Sequence, residues 1–254
     1  MFKLWKYRNL IKKIAINDLK LRYKNSILGF FWSLLEPLLM LIVLYVIFSY
    51  LMKFDVEYYQ LYLLLGIISW ELLDKGTGFA ITSICGKPNL VKKVYFPREI
   101  LIISACITAL LMVLLELVVF VMFMVIYRVV PGIYIIAFPL ILFAEFILVI
   151  GLSLGLASLN VYYRDVQHIW AVIMRAGFFA APIIFPLSII PENRVWIFML
   201  NPMTRIIITM RDSLIYHAFP SFANLAFILT SSLIALVSGY LIFIKLEPKF
   251  AEEI

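Results

Sequence analysis

The stretch LIISACITALLMVLLELVVFVMFMVIY (101–127) decides the fold class. It runs for 27 residues with one Asp, Glu, Lys or Arg among them, Glu116. A bilayer core of about 30 Å needs roughly 20 apolar helical residues to cross it. No soluble helix is expected to stay apolar around its whole circumference for that length. Working outward, five more stretches qualify, at 28–51, 59–81, 134–158, 168–187 and 222–244. Membrane β-strands would alternate apolar and polar residues in segments of about ten. No such alternation runs here, so the fold class expected is an all-α membrane protein of six spans.

Composition agrees. Of 254 residues, 65% are hydrophobic and 15% charged, with a mean hydropathy of +1.04. Soluble domains carry about 25% charged residues. The formal net charge of +7 could suggest nucleic acid, but its distribution excludes that reading. Lys and Arg in 1–27, 82–100, 159–167 and 245–254 number fifteen, against five in 52–58, 128–133 and 188–221. Bases gather in cytoplasmic loops, so both termini are expected in the cytoplasm. The run after residue 27 is too long for a signal-peptide core and lacks a cleavage pattern, so it is expected to remain as a span. Cys85 and Cys106 make no disulfide framework, and they and His168 and His217 have no metal-ligand spacing.

Two regions are expected to lie along the membrane surface. In 4–25, Leu4, Tyr7, Leu10, Ile11, Ile14 and Leu21 recur at helical spacing, with Lys6, Lys12, Lys13, Lys20 and Arg22 among them. That describes an amphipathic helix in the headgroup plane, its bases reaching anionic membrane lipids. The segment 188–221 is rich in proline yet apolar through VWIFML and RIIITM. Two short helices, sunk in the outer interface or re-entering it, are expected there.

Intramembrane charges are Glu36, Glu71, Asp74, Lys75, Glu116, Glu145 and Arg175. Each costs about 2.5–3.5 kcal/mol at a helix centre facing lipid, so pairing or burial in protein is expected. Glu71 and Lys75 are spaced i,i+4 in the favourable order. Arg175 could balance Glu36 or Glu145, or meet an anionic substrate. Pro37 follows Glu36 and could make a hinge early in span one. Tyr45 and Phe48 share one face of span one. Trp170, Met174, Phe178, Ala181 and Phe185 form a stripe on span five. Such a stripe is either a packing face or an aromatic-lined path, since flat rings stack on sugar faces. No phosphate-binding G-x-x-x-x-G-K-[ST] loop and no catalytic constellation occurs, so the chain is not expected to be an enzyme.

Five blocks then resemble one family in order along the chain. They are LKLRYKNSILGFFWSLLEPLL (19–39), KPNLVKKVYFPREIL (87–101), LNVYYRDV (159–166), FPLSIIPE (185–192) and NPMTRIIITMRDSLI (201–215). Together they resemble type-2 ABC transporter permeases, in the branch that exports O-antigen, teichoic acid and capsular chains. The resemblance implies a homodimer in the cytoplasmic membrane with two copies of an ABC ATPase, which would hold ATP and Mg. This chain binds no cofactor or metal itself. The cargo implied is a lipid-linked glycan. The resemblance makes residues 1–27 a gate helix, with Lys12, Lys13, Lys20 and Arg22, and 28–254 the transmembrane domain. It also makes 82–98 a coupling helix that docks on the ATPase, with Lys87, Asn89, Lys92, Lys93 and Arg98. Spans one and five would line the path, through Tyr45, Phe48, Trp170, Phe178 and Phe185. Permeases for drugs or lipids are the nearest alternative, and ion-driven carriers a more distant one.

Overall fold

The computed structural model describes residues 6–24, 26–51, 56–93 and 96–253, and among them it is helical with no strand. The helices are α1 (Arg8–Arg22), α2 (Trp32–Leu51), α3 (Tyr59–Ser83), α4 (Pro88–Lys93), α5 (Glu99–Ile126), α6 (Ala137–Tyr162), α7 (Val166–Ala180), α8 (Glu192–Met199), α9 (Pro202–Leu214), α10 (Phe222–Leu246) and α11 (Phe250–Glu253). Among the described residues, four apolar segments are long enough to cross a membrane, Gly29–Ser49, Glu99–Ile126, Ile133–Tyr162 and Phe222–Lys249. The chain is therefore a multi-pass membrane protein.

The other two expected spans differ for physical reasons. α3 has 25 residues, enough to cross, but carries Glu71, Asp74 and Lys75. It tolerates them because it is the central helix: Leu61 to Trp70 are all buried, packed by α2, α5, α6, α7 and α9. The stretch expected as span five, 168–187, is helical only in its first part. α7 ends at Ala180 after 15 residues, roughly 22 Å at 1.5 Å per residue, short of the bilayer core. Ala181 is extended and Pro182 and Pro186 follow, and proline cannot continue the helix.

Small residues set the closest crossing. Gly151 and Gly155 on α6 face Ala235 and Gly239 on α10, and any Cβ at Gly239 would fall on the Gly151 carbonyl. Backbones that approach this closely gain packing where lipid offers no hydrophobic drive between helices. The four-residue spacing of Gly151 and Gly155 was a readable signal of this crossing.

The segment between α7 and α10 holds two short helices, as the prolines suggest. Pro202 sits at the first turn of α9, and the Asn201 side chain accepts a hydrogen bond from the Met203 amide at 3.0 Å. α9 does not lie on the surface. Ile206, Ile207, Met210, Arg211 and Leu214 are buried, and the helix packs on α3, α6 and α10.

Candidate functional site

α2 and α7 each pack on α3, and the charged residues collect where they meet. Lys75 is the hub. Its Nζ lies 2.6 Å from Glu71 Oε2, 3.0 Å from Glu36 Oε2 and 2.9 Å from Glu116 Oε1. One ammonium thus ties α2, α3 and α5 together. The i,i+4 pair foreseen on α3 forms, and two partners from other helices join it. Glu116 is fully buried, while the Glu36 side chain is 56% exposed. Glu36 lies at the open edge of the cluster and lines a wide surface hollow with Trp32, Leu39, Met40 and Val43.

Arg175 and Glu145 do not behave as a pair. Arg175 is exposed on α7, and among the described residues it makes no ion pair with Glu36 or Glu145. Glu145 is fully buried beside Ser69, Val113 and Met210, with neither carboxylate oxygen hydrogen-bonded. Sequence spacing could not choose among these, because the partners come from different helices.

The aromatic stripe of α7 turns toward α3. The Trp170 indole N–H donates to the Thr77 hydroxyl at 2.7 Å, Met174 is buried, and the Phe178 ring lies 6.3 Å from Trp70 in an edge-on arrangement. Gly177 makes room for Trp70, since a Cβ there would come within 2.7 Å of that ring. Phe185 lies beyond the end of α7 and packs edge-on against Phe198 of α8 at 6.1 Å. Tyr45 and Phe48 on α2 are half-buried against the core, with the Tyr45 ring 6.2 Å from Tyr59. All five rings keep part of their surface exposed.

At the other end of α3 the basic segments meet. α1 packs on α5 through Ile11 and Ala15, and the Thr108 hydroxyl donates to the Ala15 carbonyl at 3.2 Å. Lys12, Lys13 and Lys20 are exposed, whereas the Arg22 guanidinium sits 3.2 Å over the Phe79 ring. Desolvation lowers the Arg22 pKa from its ordinary value, opposed by the charge of Asp18. Lys87 reaches back to Asp18 at 2.6 Å. A cleft of about 230 Å³ opens between these groups, with Thr82 and Ser83 on its wall. Of the residues proposed for coupling, Asn89 and Lys92 are exposed on α4, and the Lys93 side chain lies outside the described residues. Arg98 turns inward and donates to the Glu247 carbonyl at 2.6 Å.

One site residue escaped the sequence reading. Arg211 of α9 is buried, 2% exposed, with no carboxylate partner among the described residues. Its Nη1 donates to the Pro182 carbonyl at 2.6 Å and its Nη2 to the carbonyls of Ile183 and Tyr62 at 3.0 and 2.9 Å. It also stacks on the Tyr62 ring at 3.3 Å, and that tyrosine's hydroxyl donates to the Phe185 carbonyl at 2.9 Å. Non-helical backbone at membrane depth must be satisfied by protein. Arg211 does this for residues 182–183, and Gly66 leaves the space for it. The only signal was an arginine inside the apolar run RIIITMRDSLI.

Comparison with known proteins places this arrangement. The chain is 29% identical over 245 residues, 96% of its length and 94% of the relative's, to an O-antigen export system permease protein RfbA of Klebsiella pneumoniae. It is 28% identical over 253 residues, 99% and 97% of the two lengths, to an O-antigen export system permease protein RfbA of Myxococcus xanthus. With the polysialic acid transport protein KpsM of Escherichia coli it shares 22% identity over 238 residues, 90% of each chain. The family model described as ABC-2 type transporter matches residues 9–215, which takes in every helix from α2 to α9, so the chain belongs to the ABC-2 type transporter membrane family.

Proposed function

We propose that this chain is the membrane-spanning permease subunit of an ATP-driven exporter that moves a lipid-linked polysaccharide across the cytoplasmic membrane. The observation that carries this reading is its end-to-end similarity to O-antigen export permeases, which spans 94–97% of their length. In this reading six helices cross the membrane. α3 is one of them because it has the length and its Glu71 and Lys75 are paired, and α7 is another, with the non-helical residues 181–186 completing its crossing. Both termini lie in the cytoplasm, as the fifteen-to-five distribution of bases requires.

Two copies of the chain pair, and an ABC ATPase supplies ATP hydrolysis beneath each. α4 docks on the ATPase, supported by the exposure of Asn89 and Lys92. α1 acts as the gate at the membrane surface, its exposed lysines 12, 13 and 20 meeting lipid headgroups and the diphosphate of the cargo. α2 and α7 line the path, where the exposed parts of Tyr45, Phe48, Trp170, Phe178 and Phe185 give rings for sugars to slide over.

Vesicles holding this chain and its ATPase test the proposal. ATP-dependent, vanadate-sensitive movement of a lipid-linked glycan is expected. Reversing charge at Lys92 and Lys93 should weaken ATPase stimulation while the membrane domain stays folded. Transport of small amphiphiles without glycan transport would overturn the substrate class. Transport driven by an ion gradient without ATP would overturn the mechanism.

A further inference from the structure

Of the long helices, α3 alone exposes no large apolar side chain among the described residues. Its exposed residues are Asp74, Gly78 and Thr82, at successive intervals of four, so they stack into one stripe along the helix. The outward faces of the neighbouring helices have a different character. α5 exposes Leu114, Val118 and Val121, and α10 exposes Leu233, Ile234 and Val237. Surface that meets lipid tails selects apolar side chains. A carboxylate, a bare backbone and a hydroxyl in a row do not suit that solvent.

The stripe is flanked on both sides. From α2, Glu36 reaches Lys75. From α7, Trp170 bonds Thr77, whose own hydroxyl donates to the Leu73 carbonyl at 2.6 Å. A Cβ at Gly78 would meet no atom within 4 Å, so the floor is open there. An anchored aromatic ring and an ion pair thus lie beside the open polar stripe.

We propose that the α3 stripe is a wetted sugar-binding floor, with Asp74 accepting hydrogen bonds from the hydroxyls of a passing uncharged glycan. This rests on the reading of α2 and α7 as walls of the path and adds a floor to it. A carboxylate can accept from two neighbouring hydroxyls at once, a geometry that sugars present repeatedly. Gly78 lets the chain approach the backbone, and the Trp170 ring, anchored at its N–H, offers an apolar surface to the same sugar. Contacts made on a wet surface are individually weak, which suits cargo that must move on.

The test is thiol accessibility in the assembled exporter with its ATPase and ATP. The background replaces the native thiols, as Cys85→Ser and Cys106→Ala. In membranes open on both sides, a hydrophilic methanethiosulfonate reagent should label Gly78→Cys and Phe178→Cys roughly tenfold faster than lipid-facing Ile234→Cys, because the reactive thiolate forms only in water. If Phe178→Cys reacts and Gly78→Cys does not, the path stands and α3 is not its floor. If neither reacts faster than Ile234→Cys, the path reading falls with it. For the contact itself, Asp74→Asn keeps an acceptor and should export nearly as the parent does. Asp74→Leu, inserted at equal level, should export several-fold less of an uncharged glycan. Normal export by Asp74→Leu would remove Asp74 from sugar binding.

Discussion

Replacing Arg211 with methionine tests how the fold holds its non-helical backbone. Methionine fills a similar volume and removes every donor. The Ile183 carbonyl then loses its 3.0 Å partner. The Pro182 carbonyl loses a 2.6 Å bond and keeps only the 3.3 Å one from the Tyr62 hydroxyl. The Tyr62 carbonyl, on α3, retains its place in the helix. Hydrogen bonds from charged donors are worth about 1.5–3 kcal/mol each, and a buried acceptor left bare costs about 1–3 kcal/mol. Because these terms overlap, a loss of about 3–5 kcal/mol is expected. For a chain of this size that lowers the unfolding midpoint by roughly 10 °C. The assay uses Cys106, which is fully buried, in a Cys85→Ser background, where a thiol-sensitive dye should react on unfolding. Arg211→Lys should fall between the two, because an ammonium cannot span three carbonyls with a planar fork. A midpoint for Arg211→Met within a degree or two of the parent would refute the claim that this residue pins residues 182–183.

Lys75→Met should sharply reduce membrane-inserted protein, since buried Glu116 and half-buried Glu71 lose their shared cation, and adding Glu116→Gln should restore part of it. Glu36→Gln should change insertion little, because 56% of that side chain is exposed and the ion pair is screened. Gly239→Ala should destabilise by about 1–3 kcal/mol by driving a methyl into the Gly151 carbonyl. Gly155→Ala should be mild, since its Cβ would meet Gly239 Cα at an ordinary 3.6 Å. Thermal unfolding of the two variants side by side checks the crossing.

Much of this protein was legible from residue order. A run such as 101–127 fits only one solvent, so the helical class, and the spans at α2, α5, α6 and α10, follow from hydropathy and length. The i,i+4 pair of Glu71 and Lys75 is set by helix geometry within one segment. Asn201–Pro202 announces the start of α9 in the same local way. Anything that needs two helices was decided by tertiary structure. Glu36 and Glu116 reach Lys75 only because α2 and α5 flank α3, and no spacing in the chain encodes that meeting. Arg175 had two candidate partners in sequence, and among the described residues it forms an ion pair with neither. Pro182 and Pro186 mark the end of α7, but the carbonyls of Pro182 and Phe185 meet Arg211 and Tyr62 only in the folded chain. Hydropathy is a sum over one segment, whereas a hydrogen bond to a carbonyl 29 residues away depends on where both segments are held. The solvent dictated which segments are helices, and packing dictated which of their polar groups meet.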